Sequence, residues 1–139
     1  MALSEDKQRT EKEGRLQSFQ VAASTTIYKG ALVKVGADGF LAPQAAEAGA
    51  VHAGVAYEAC DNSAGADGEK SVRVETGRAF NMNGSGFVQA DVGKAAYASD
   101  DDTVSVTQGA NELKVGKIIE VLSATEVLVL QSQFADKGN

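Results

Sequence analysis

Short apolar runs separated by glycine-bearing turns recur along most of this chain. Ser71 to Glu75 alternates strictly, with Val72 and Val74 opposite Arg73 and Glu75, the period of a strand with one buried face. Gln17 to Ala23 alternates more loosely and sets Phe19 and Val21 on one face. Ile27 to Val35 reads as a strand interrupted at Gly30. Asp38-Gly39 is a hairpin turn, after which Phe40-Leu41 begins the return strand and Pro43 ends it. Val51 to Ala59 places Val51, Ala53, Val55, Tyr57 and Ala59 on one face. Arg78 to Met82 and Phe87 to Ala90 flank the glycine-rich turn Asn83-Gly84-Ser85-Gly86. Ala95 to Ala98 and Thr103 to Thr107 flank Asp100-Asp101-Asp102, and Leu113 to Leu122 pairs with Val127 to Gln133 around Ser123 to Glu126. Helical periodicity is weak; Ala45, Ala46, Ala48 and Ala50 allow one short helical turn within Gln44 to Ala50. Roughly eight or nine strands at a spacing of about 8–12 residues predict an all-β sandwich or barrel.

The β pattern begins only at Leu16. Before it, Glu5, Asp6, Glu11 and Glu13 are balanced by Lys7, Arg9, Lys12 and Arg15, with apolar side chains only at Met1, Ala2 and Leu3. Such a segment either stays disordered or orders against a partner. The expected organisation is a charged N-terminal arm over residues 1–15 followed by one β-barrel domain over 16–139.

Composition sharpens this picture at three points. The apolar fraction of 43% supports a globular fold, yet aromatics are only 6% and tryptophan is absent, so a core of alanine and valine is thin. Self-assembly or docking would add burial. A net charge of −6 leaves no basic face for phosphate, which argues against nucleic-acid binding. Cys60 stands alone, so no intramolecular disulfide forms. The charged N-terminus carries no apolar leader core, and no run approaches the ~18 apolar residues of a membrane helix. The chain is thus expected to be made in the cytoplasm and to stay off the membrane.

Candidate chemistry is sparse. Asp100-Asp101-Asp102 lacks the alternating ligands and the distal glutamate of a calcium loop, and three consecutive residues cannot aim at one ion. Asp61, Asn62, Asp67 and Glu69 form a second acidic loop without specific ligand spacing. Asn83 to Gly86 has no following helix to make a phosphate cradle. His52, the sole histidine, would have to serve any Ser–His–Asp or Cys–His arrangement, and no Gly-x-Ser-x-Gly elbow occurs. The residues therefore predict no enzyme, no cofactor and no metal.

Three segments carry a family resemblance. They are Tyr28-Lys-Gly-Ala-Leu-Val-Lys-Val35 leading to Asp38-Gly39; Ala53-Gly-Val-Ala56 with Asp61-Asn62 and Gly65; and Asp91-Val-Gly-Lys-Ala-Ala-Tyr-Ala-Ser-Asp100 with Thr103-Val104. Closed by Val115-Gly-Lys-Ile-Ile-Glu-Val121, this order resembles the small capsid decoration, or cement, proteins of tailed bacteriophages over about Val21 to Gln131. The resemblance implies a β-barrel or β-tulip-like body on the outer capsid surface. It further implies homotrimers at threefold and quasi-threefold positions, with the major capsid protein as partner, stabilising the expanded shell against internal DNA pressure. The family has no catalytic residues. The charged arm lies outside the matched stretch. Leu3, Arg9, Arg15, Leu16, Phe19 and Val21, on the arm and the first strand, are the residues expected to touch a partner. The alternative is a carbohydrate-binding or host-attachment module displayed on a particle.

Overall fold

The computed structural model describes residues 15–134. In chain order the strands are β1 (Leu16–Gln20), β2 (Thr25–Ile27), β3 (Leu32–Val35), β4 (Leu41–Pro43), β5 (Val51–Ala56) and β6 (Cys60–Asn62). They continue as β7 (Ser71–Glu75), β8 (Ala79–Asn83), β9 (Ala95–Ala98), β10 (Val104–Ser105), β11 (Leu113–Ser123) and β12 (Glu126–Gln131). A 3-10 turn, Gln89–Asp91, is the one helical element among the described residues. The all-β expectation is met.

Two five-stranded antiparallel sheets carry the fold, ordered β1-β7-β5-β3-β4 and β10-β9-β11-β12-β8, with β2 and β6 forming a separate ribbon. Each large sheet has its two edges joined by an isolated parallel bridge, Val21 to Leu41 in the first and Asn83 to Thr103 in the second. Single bridges of this kind replace the continuous ladder of one closed barrel.

The apolar residues divide accordingly. Val21, Val33, Leu41, Val72 and Val74 of the first sheet pack with Ile27 of the ribbon. Met82, Phe87, Val115, Ile118, Val127 and Val129 pack within the second, and Leu32 and Val55 reach into that cluster from the first. β3 and β5 thus serve both cores, because successive side chains of a strand point to opposite faces. This explains why β5 is buried at all six positions rather than on one face, as its alternation suggests.

Other departures have local causes. The segment from Ile27 to Val35 splits at Tyr28–Ala31, so β2 pairs with β6 while β3 pairs with β4 and β5. Phe87 to Ala90 is no strand: β8 pairs with β12 instead, Phe87 enters the core, and the 3-10 turn follows. Gln44 to Ala50 forms no helical turn; Glu47 is drawn instead to Lys34, at 2.7 Å, and to the amide of Ala37.

Candidate interaction surface

His52 lies on β5, fully buried, with Nδ1 3.0 Å from Gln44 Oε1 and Nε2 2.6 Å from Gln131 Oε1. Burial pushes its pKa down to about 4, so the ring is neutral at physiological pH. Gln131 comes from β12, which makes the trio a polar link between the sheets. Two bonds to the β5 backbone reinforce it: Phe134 N donates to His52 O, and Gln133 Nε2 donates to Ala53 O. The sole histidine is therefore held by two amides rather than aimed at solvent.

The acidic turns also hold structure together. Asp100 Oδ1 accepts from the amides of Asp102 and Thr103, and Asp102 Oδ2 accepts from Asn83 Nδ2 beside the bridge that joins the second sheet's edges. Asp61 Oδ1 accepts from the Ser63 amide, and Asp67 Oδ1 from the Ala23 amide. Among the described residues no three His, Cys, Asp or Glu side chains are grouped to hold a metal ion.

The residues expected to touch a partner fall in different places. Leu3 and Arg9 lie outside the described residues. Arg15 and Leu16 are exposed where the chain enters β1. Phe19 is half-buried and meets Phe134 edge to face, with ring centroids 6.1 Å apart. Val21 has no surface to offer; it is fully buried in the first core and bridges Leu41.

Sequence reasoning missed a concave surface between the sheets. A cleft of about 490 Å³ opens where β5 and β7 of the first sheet face β8 of the second. Val55, Ala56 and Met82 form its buried floor with the half-buried Phe80. Lys29, Tyr57, Glu75 and Asn81 line its rim. A second hollow of about 310 Å³ shares Tyr57 and Glu75 and adds Arg15, Leu16 and Arg78. Tyr57 is fixed by Arg73, whose guanidinium lies 4.9 Å from the ring centroid. Arg73 in turn makes a two-pronged contact with Glu58, at 3.1 and 3.0 Å, holding that carboxyl down to about 2. Arg78 pairs with Glu75 at 3.4 Å. Each pair of neighbours was visible as a residue type, but only the sheet order brings residues 15, 29, 57, 75 and 80 to one place.

Apolar side chains emerge elsewhere too. On the β11–β12 hairpin Ile119, Leu122 and Leu130 are exposed, while Ile118, Val127 and Val129 beside them are fully buried. No protein-family model matches this chain, and no curated protein or solved structure matches it either.

Proposed function

We propose that this protein is a structural component of a phage virion, bound as trimers to the outer surface of the major capsid protein shell and stabilising the expanded capsid. The observation that carries the reading is the contact surface that the two sheets present: exposed Ile119, Leu122 and Leu130 on one hairpin, and aromatic and basic side chains around Tyr57. Its histidine and its acidic turns are engaged in holding the fold. The order of the Tyr28–Val35, Ala53–Ala56, Asp91–Asp100 and Val115–Val121 segments adds the phage resemblance. Trimerisation would bury part of the exposed hairpin, and linked sites on a shell would gain avidity from one another.

Co-sedimentation with expanded, undecorated capsids, counting bound copies per capsid protein, tests this reading. Saturation at a fixed, symmetry-compatible ratio is the expected result, and absence of binding rejects it. The arm is tested in the same assay. Arg15 O accepts from Thr76 N, so the cut belongs before Arg15. Removing residues 1–14 is expected to leave the thermal midpoint unchanged while lowering capsid occupancy; full occupancy would discard the arm as an attachment element.

The exposed Tyr28 and Tyr57, at 69% and 43%, favour a carbohydrate-binding module as second reading. A sugar ring stacks on an open aromatic face, and Arg73 already takes one face of Tyr57. A glycan array distinguishes the two.

A further inference from the structure

We propose that the cleft around Tyr57 is a docking site for an acidic peptide segment of a protein partner, one that carries an apolar side chain between its carboxylates. The site combines two complementary features. Its floor of Val55, Ala56, Phe80 and Met82 is apolar and recessed, suited to one aliphatic or aromatic side chain. Around it Arg73 and Arg78 are matched by Glu58 and Glu75, and Lys29 on the rim is a cation in excess of these pairs. That balance is the reverse of the whole chain, whose net charge is −6. A local excess of cations on an acidic protein steers anionic partners to this face and repels them from the rest.

Lys29 is the cation best placed to recognise a carboxylate. It is exposed on the rim and makes no hydrogen bond or ion pair with any described residue, whereas Arg73 and Arg78 already hold Glu58 and Glu75. It sits in the Tyr28–Ala31 turn beside Gly30, where a Cβ would meet only open space. Lys29 can therefore reach an incoming carboxylate without first giving up a partner. Tyr57, held in place by Arg73, adds an aromatic wall at low entropic cost. A peptide fits better than an anionic sugar because the recess is apolar. The assignment holds for any protein partner and does not depend on that partner being a capsid shell.

The test is chemical-shift mapping on the full-length ¹⁵N-labelled protein. Three probes are titrated: the blocked peptide Glu-Asp-Leu-Phe-Glu-Asp, its Lys-Lys-Leu-Phe-Lys-Lys counterpart, and tetragalacturonate. The acidic peptide is expected to give saturable shifts at the amides of Lys29, Gly30, Ala56, Tyr57 and Asn81, weakening as salt rises. Lys29→Glu, at an exposed turn position, is expected to weaken binding roughly five- to tenfold, and Lys117→Glu on β11 to leave it unchanged. Spectra unaltered away from the cleft establish that Lys29→Glu is folded. No saturation at millimolar peptide, equal binding of the basic peptide, or binding retained by Lys29→Glu overturns the site. Tetragalacturonate saturating the same amides in place of the peptide overturns the peptide assignment. Each result is separate from capsid co-sedimentation, which reads occupancy by the whole protein.

Discussion

His52 faces a donor problem whose solution fixes its surroundings. A neutral imidazole donates one hydrogen bond, yet both ring nitrogens lie against glutamine oxygens, at 3.0 and 2.6 Å. Gln131 Nε2 donates to Val129 O, which orients that amide so that its Oε1 accepts from His52 Nε2–H. Nδ1 is then a lone pair and needs a donor. Turning the Gln44 amide supplies one, and it engages the buried Gln44 Nε2 that otherwise has no partner. Protonation would break this arrangement. Lys34 on β3 pairs in register with His52 and is itself engaged by Glu47 from the β4–β5 connection. The folded pKa is about 4 against an ordinary 6.5, so between those values the unfolded chain takes up a proton that the folded chain refuses. Stability is fully present above pH 6.5 and falls as pH drops through the window, by on the order of 3 kcal/mol. Glu58, Asp61 and Glu47 have lowered pKa values and add losses as pH falls through their ordinary values of 4.5 and 3.8, at the acid end of this window. Urea midpoints at pH 7, 5.5 and 4.5 should therefore decline steadily in the native protein and stay nearly flat in His52→Gln; a flat native profile would contradict the buried neutral ring.

Elements with one buried face were legible, and elements with two were not. Ser71–Glu75 has the burial pattern that its alternation predicts, with Val72 and Val74 inside. Val51–Ala56 shows the opposite case: its register with β3 and β7 was hidden because both faces are covered. Nothing in the local pattern of Phe87 to Ala90 says that β8 would pair with β12 rather than fold back. Two glycines within strands carry more than turn chemistry. Gly54 and Gly116 adopt φ of +146° and +156°, and a Cβ on either would overlap the carbonyl oxygen of a neighbouring strand, Glu75 or Leu130. Both stand beside register shifts in their ladders. Gly116→Ala combines strain with a backbone clash and is expected to cost about 3 kcal/mol or more, read as a lowered thermal midpoint. Gly39→Ala makes a useful contrast, since its hairpin turn has open space and only the φ of +89° to penalise; it should cost about 1 kcal/mol. Equal midpoints for the two variants would contradict the close approach at Gly116.

At the scale of the molecule, two small cores that share β3 and β5 should behave as one cooperative unit. Leu32 is the clearest joint. It belongs to the first sheet by hydrogen bonding, since Gln44 N donates to its carbonyl, yet its side chain lies in the second core, fully buried. Its own amide donates to Asp101 O in the turn between β9 and β10. The sequence announced Leu32 as an apolar strand residue but not this double membership, because the β8–β12 sheet that receives it is assembled from the far half of the chain. The contact cleft was hidden for the same reason: Lys29, Tyr57 and Phe80 meet only once both sheets exist. Truncating Leu32 to alanine removes packing from the joint and should cost about 2–5 kcal/mol. Its signature differs from that of an equal loss within one core. Val72→Ala, confined to the first core, should lower the denaturation midpoint while the transition keeps its width, since the sheets still unfold together. Leu32→Ala weakens what couples them, so its urea transition should broaden and the signals of Tyr57, just past β5 of the first sheet, and Tyr97, in the second, should separate. Coincident transitions at both tyrosines in Leu32→Ala would mean that the His52–Gln131 link, the Gln133 side chain and the Phe134 amide suffice to keep the sheets coupled.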